Sequence, residues 1–186
     1  MPASPDPSLE RWRAYLQMLA RVQIGAQTPV KFEASDIVQD VLLEAHRQRE
    51  QFRGTTDAER AAWLRRLLTG KLVDALRHEH AAKRDVHRER SLEAAVEQSS
   101  LRLEQFLAAD QSSPSQSVER HEQLARLADA LAALPVPQRQ AVELRHCLGW
   151  SLDEISRHLG KTPAAVAGLL KRGLQQLRQE LQESDP

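Results

Sequence analysis

Aromatic residues make up only 4% of this 186-residue chain, and cysteine occurs once, at Cys147. With so few aromatics, any core must be built from leucine, valine, isoleucine and alanine. The 41% hydrophobic content is enough for one or two small domains. A single cysteine excludes an internal disulfide framework and suits a reducing compartment. Net charge is lacking as well, with 26 basic residues against 26 acidic ones. That balance argues against a nonspecific nucleic-acid coat but leaves room for local basic faces. No apolar run approaches the ~18 residues of a membrane span, and the start MPASPDPSLERW lacks the basic-then-apolar pattern of a secretory signal. A cytoplasmic chain with no membrane insertion is expected. Strand signals are missing too: glycines are few and no Val/Thr/Tyr alternation occurs. The periodicity that remains is helical, and it predicts an all-α fold.

The helical pattern falls into two blocks. Met1 to Pro7 is proline-rich and expected to be disordered. Leu9, Trp12, Leu16 and Leu19 recur at steps of three and four and predict a first helix. After a break from Gly25 to Ala34, Ser35 is placed to cap a second helix, with Asp36 in its first turn. That helix buries Ile37, Val38, Val41, Leu42 and Ala45. QFRGTTD is a turn, and Thr56 with Glu59 forms a capping box that opens a long third helix with a seam from Trp63 to Leu76. Residues 8–90 therefore read as one small domain. Residues 91–120 read as a flexible linker around the polar, proline-broken AADQSSPSQSVE, with a short helix before it. Residues 121–183 read as a second domain, opened by Leu124, Leu127, Leu131 and Leu134.

The most informative stretch is GWSLDEISRHLGKTPAAVAGLLKRG, Gly149 to Gly173. Ser151 and Glu154 form a second capping box, and Trp150 with Ile155 suggests a hydrophobic staple. Leu152, Ile155 and Leu159 are expected to face inward. Gly160 ends this helix, Thr162 caps the next, and Pro163 takes the first helical position. Two helices joined by so short a turn form the helix-turn-helix pattern, whose second helix can enter the DNA major groove. Small or polar residues at its front (Thr162, Ala164, Ala165, Ala167, Gly168) suit close approach to bases, while Lys161, Lys171, Arg172 and Arg178 suit phosphates. The same small residues would equally serve tight helix packing in a protein that never touches DNA.

At this point three blocks occur in order, SDIVQDVLLEAHRQREQFRG, AAWLRRLLTGKLVDALRHE and LADALAALPVPQRQAVELRHCLGWSLDEISRHLGKTPAAVAGLLKRGLQQLRQEL. Together they resemble the extracytoplasmic-function (ECF) sigma factors of bacterial RNA polymerase, within the sigma-70 family. The resemblance implies a factor that binds core RNA polymerase and directs promoter-specific transcription initiation. The first domain would dock on polymerase and open the −10 element, and the helix-turn-helix would read the −35 element. It implies that Asp36, Gln39, Asp40 and Glu44 form the polymerase-binding face. It implies that Phe52, Arg53, Gly54, Arg66, Gly70, Lys71 and Arg77 meet the −10 strand. Phe52 could wall a flipped base or plug the core, and Arg65 is a further cation on or near the same side of the third helix. Gly70 stands where many members carry an Asn that contacts the strand. Core RNA polymerase and promoter DNA are the expected partners, and the family leaves room for an inhibitory regulatory protein. The rival reading is a stand-alone helix-turn-helix regulator that binds duplex DNA without polymerase. Cys147, His146 and His158 fit no standard zinc spacing. No metal site, cofactor or catalytic constellation is expected, so the chain is not read as an enzyme.

Overall fold

The computed structural model describes residues 7–25, 32–80, 86–110 and 119–183, and every regular element among them is helical. The expected disorder of the first residues, the break before the second helix and the Ser-rich part of the linker fall largely outside the described residues. Contacts divide the chain into two compact units, Met1–Glu97 and Gln98–Pro186.

In unit 1, the expected first helix is two: α1 (Pro7–Glu10) and α2 (Arg13–Gly25). A turn at Arg11 and Trp12 separates them, yet Leu9, Trp12, Leu16 and Leu19 are all buried as the periodicity requires. Helix α3 (Ala34–Arg47) begins two residues earlier than predicted. Its N-cap is Glu33, and no side chain caps it, so Ser35 lies inside the helix and does not close its end. A 3-10 turn (Arg49–Gln51) leads to α4 (Asp57–His80). Here the predicted capping box is present. Glu59 accepts from the Thr56 backbone N–H at 3.0 Å, and the Glu59 N–H donates to Thr56 Oγ1 at 3.2 Å. The N–H groups of Thr55 and Thr56 hold the Glu59 carboxyl below its ordinary pKa. Helices α2, α3 and α4 pack pairwise around Tyr15, Leu16, Val38, Val41, Leu64, Leu68 and Leu72.

The region read as linker differs most. Residues Val86–Asp110 form one helix, α5, and the boundary between units falls inside it, after Glu97. Residues 111–118 of the expected linker lie outside the described ones. Helix α5 is helical because it has something to bury. Leu92 and Val96 are buried in unit 1, Leu103 and Leu107 in unit 2. In unit 1 the Gln23 amide donates to the Ala95 carbonyl at 3.3 Å. In unit 2 Arg102 donates to the Leu148 carbonyl, and the Phe106 ring lies 4.5 Å from that of His146. Burial, followed by the nearby Arg145 charge, lowers the His146 pKa.

Unit 2 continues with α6 (Glu119–Ala133), α7 (Val136–His146), α8 (Leu152–Leu159) and α9 (Pro163–Glu183). Helices α6, α7 and α8 all pack on α9. Leu124, Leu127, Leu131 and Leu134 are buried as predicted. Gly149 takes a left-handed conformation (φ 73°) just after α7, and a side chain there would collide with the Arg102 guanidinium.

Candidate nucleic-acid and polymerase interfaces

The helix-turn-helix is built by local signals. Ser151 accepts from the Glu154 N–H at 3.3 Å and the Glu154 carboxylate accepts from the Ser151 N–H at 2.7 Å, a complete capping box. Those bonds, first the one from the Ser151 backbone, hold the Glu154 pKa low. Gly160 closes α8 in the left-handed conformation (φ 62°), where a Cβ is strained. Its N–H and that of Lys161 both reach the Ser156 carbonyl. Thr162 then caps α9 by accepting from the Ala165 N–H at 3.2 Å. Only three residues, Gly160 to Thr162, lie between the helix ends Leu159 and Pro163, so the crossing of the two helices is set by one turn.

Inside that turn Ile155 and Val166 are completely buried. Leu152, expected to face inward, is 38% exposed: it is the first residue of α8, at the open end of the face that Ile155 buries one turn later. The Trp150 ring meets His158 edge-on at 5.1 Å. Ser156 is buried and its hydroxyl has no partner among the described residues. A buried donor left unsatisfied costs roughly 1–3 kcal/mol, and serine is a weaker helix former than alanine. Ser156→Ala is therefore expected to stabilise unit 2 by about 1 kcal/mol, measured as a higher urea midpoint with an unchanged slope. A lower midpoint would show that the hydroxyl is satisfied.

The front of α9 is open. Lys161, Thr162, Ala164, Ala165, Ala167, Lys171 and Arg172 are all exposed, and Gly168 is half-buried. Val166, Leu170 and Leu177 face the core, with Leu174 half-buried. A shallow groove at the turn is lined by Asp153, Arg157, Gly160, Lys161, Thr162 and Pro163. It lies at the N-terminus of α9, whose dipole favours a phosphate, although Pro163 carries no N–H and the Ala165 N–H is taken by Thr162. Gly168 has a second use that its sequence context does not reveal. The Arg172 guanidinium lies over it, so that a Cβ there would stand 3.3 Å from Arg172 Nη1. The cation can thus rest flat along the exposed face.

On unit 1, Asp36, Gln39 and Asp40 are exposed along α3 and make no hydrogen bond or ion pair with any described residue. Leu43, on the same face, is 49% exposed. Glu44 is different: it is half-buried and engaged with Gln48, Arg47 (3.7 Å) and Lys71 (3.9 Å).

The loop after α3 places Phe52 between two fates. Its ring is half-buried, stacked on Trp63 at 4.9 Å, with the Arg60 guanidinium 5.6 Å from its centroid. Gly54 is needed here because any Cβ would lie 2.4 Å from the ring. Arg53, Arg66 and Gly70 are exposed. Lys71 and Arg77 are half-buried and less free than the sequence suggests: Lys71 faces Glu44, and Arg77 pairs with Asp74 and Glu89.

Arg65 departs most from its expected role. It is buried, donating to Glu97 at 2.8 and 3.1 Å and to the Tyr15 hydroxyl at 3.1 Å. Burial acts to lower its pKa, but Tyr15 and Glu97 outweigh that and raise it. A guanidinium so enclosed cannot track a DNA strand. It clamps the first half of α5 onto unit 1. Among the described residues no group of His, Cys, Asp and Glu could hold a metal ion, and no helix is long and apolar enough to cross a membrane.

Comparison with known proteins follows the same division. A family model of sigma-70 region 2 matches residues 10–82, and one of sigma-70 region 4 matches residues 124–177. The RNA polymerase sigma factor CarQ of Myxococcus xanthus is 31% identical over 150 residues, which is 81% of this chain and 75% of that protein. The RNA polymerase sigma factor CnrH of Cupriavidus metallidurans is 29% identical over 166 residues, 86% and 82% of the two chains. A solved structure of the sigma factor RpoE with the anti-sigma factor NepR from Bartonella quintana aligns over 96% of each chain at 19% identity, with a TM-score of 0.36.

Proposed function

The chain belongs to the sigma-70 family of RNA polymerase sigma factors, in the ECF group, and on that premise we propose how its two units work. It binds core RNA polymerase through Asp36, Gln39 and Asp40 on α3, with Glu44 at the edge of that face. It reads the −35 element with the front of α9, from Lys161 to Arg172. Its first unit takes the separated −10 strand along Phe52, Arg53, Gly54, Arg66, Gly70, Lys71 and Arg77. No chemistry is asked of the chain itself; strand opening follows from trapping unpaired bases, and phosphodiester synthesis belongs to the polymerase. The reading puts the factor in the cytoplasm, with an inhibitory regulatory protein among its partners.

The observation that carries this proposal is the pairing of two exposed surfaces on separate units, each too sparse to act alone. The α9 front offers methyl groups and a few cations but hardly any side chain able to make a bidentate base contact, so its own specificity is modest. Two such weak grips held together by polymerase gain from effective concentration without any new contact. A stand-alone regulator would leave α3 and the Phe52 loop without a task.

Run-off transcription with purified core polymerase on genomic fragments tests this directly. Promoter-specific transcripts should appear only when the chain is added, and the chain alone should bind duplex promoter DNA weakly. Tight duplex binding without polymerase would favour the stand-alone regulator. Within that assay, Arg172→Ala should weaken promoter use and reduce the salt slope by about one, the share of a single phosphate contact. Transcription that matches wild type across several salt concentrations would remove Arg172 from the interface.

A further inference from the structure

Arg102 and Phe106 fasten the second half of α5 to unit 2, and both reach one place, the end of α7 and its exit toward α8. The Phe106 ring lies 4.5 Å from that of His146, tilted by 53°. Arg102, one turn earlier on α5, donates to the Leu148 carbonyl. The next residue, Gly149, is shaped for that arginine, since it is left-handed and a Cβ there would stand in the guanidinium. Leu103 and Leu107 are buried beside them.

A histidine at a helix C-terminus ordinarily gains from protonation, because its cation meets the open carbonyls of the last turn. Here the exit of α7 is already filled. The Glu143 carbonyl accepts from the Cys147 N–H at 2.8 Å, and the Leu144 carbonyl from the Trp150 N–H at 3.2 Å. Arg102 takes the Leu148 carbonyl, and Arg145 takes that of Trp150 at 2.8 Å. A proton on the half-buried His146 would add a third cation to these two guanidiniums. The carboxylates of the surrounding helices are engaged elsewhere. Glu104 of α5 accepts from Ser100 at 3.2 Å, Glu154 of α8 closes its capping box, and Glu143 of α7 is buried with a partner of its own. His158 of α8 meets the Trp150 ring, and Lys171 and Arg172 of α9 stand on its exposed front. What acts on the His146 proton is burial first and the Arg145 charge second, and both disfavour it.

We propose that the second half of α5 is a latch on unit 2 that protonation of His146 opens. The charged ring seeks water and repels the two guanidiniums, so Phe106 and Arg102 lift from the end of α7. The helices behind stay packed. The segment released, Leu148 to Trp150, leads directly into the helix-turn-helix, so acid loosens the seat of α8. With the latch open, His146 returns toward its ordinary pKa of about 6.5. The closed latch is therefore at full strength above about pH 6.5 and weakens as pH falls below it.

Hydrogen exchange of the full chain at about pH 7.5 and about pH 5.5, followed by mass spectrometry and corrected for intrinsic rates, reads this opening. Amides of residues 101–108 should exchange severalfold faster at the lower pH, while residues 124–131 in α6 keep their protection. His146→Phe keeps a ring against Phe106 but takes no proton, and should hold 101–108 equally at both pH values. Phe106→Ala should leave 101–108 fast at both. The proposal is overturned if 101–108 of the wild type exchange at one corrected rate at both pH values, or if His146→Phe accelerates in acid as the wild type does. Equal acceleration of 124–131 would mean that the whole unit unfolds, and it overturns the latch as well. Wild-type protection of 101–108 in Phe106→Ala at the higher pH would do the same, because the ring contact would then hold nothing.

Discussion

Glu97→Ala is expected to lower the melting temperature of unit 1 by about 10 °C. The variant leaves the Arg65 guanidinium buried with only the Tyr15 hydroxyl for company. Removing one partner of a fully buried ion pair costs 3–5 kcal/mol, because the other charge is stranded. Glu97 is itself 48% exposed, so water screens the pair and about 2 kcal/mol is the better figure. In a unit of about this size each kcal/mol moves the midpoint by roughly 4–8 °C. Arg65→Ala should fall in the same range, through the lost donor to Tyr15 and the cavity left beneath α5. It should leave the salt dependence of promoter binding unchanged, whereas a strand-tracking arginine would reduce that slope and spare the fold. Circular-dichroism melts of both variants, beside a salt titration of Arg65→Ala, separate the two roles. Coincident melts of Glu97→Ala and wild type would mean that the clamp does not hold α5.

Reversing charge on the other face of unit 1 should abolish assembly and leave the fold alone. Asp40→Arg is expected to weaken binding to core polymerase on the order of 100-fold, as like charges brought together at an interface cost several kcal/mol. Asp40 is exposed and has no partner among the described residues, so its replacement breaks no described contact of unit 1. Helix content and melting temperature should therefore match wild type. Glu44→Arg should be a poorer probe, since it also disturbs Gln48 and Lys71. The measurement is pull-down or fluorescence titration with purified core enzyme. Binding of Asp40→Arg at wild-type strength would remove the α3 acidic face from the polymerase interface.

The parts of this molecule legible in its sequence are those whose causes are local. Both capping boxes, the left-handed Gly160, the Thr162 cap and the open front of α9 depend on residues within a few positions of one another, and each is present in the fold. The errors share a different cause. Helix α5 looks like a linker because its buried seam runs through Ser99 and Ser100, which are 1% and 0% exposed, and a seam carrying serines does not stand out by hydrophobicity. Arg65 looks like one more surface cation on a basic helix. Its partners stand 32 and 50 positions away, where no spacing rule reaches them.

By itself, then, the sequence determined the all-helical class, both capping boxes, the two-unit plan and the family, because hydrogen bonds within a turn and apolar periodicity are written in neighbouring residues. Only the tertiary structure decided which cations are free to meet DNA and which are consumed inside the protein. That choice depends on what lies across from each side chain, and burial beside a distant carboxylate turns a candidate phosphate contact into a structural clamp.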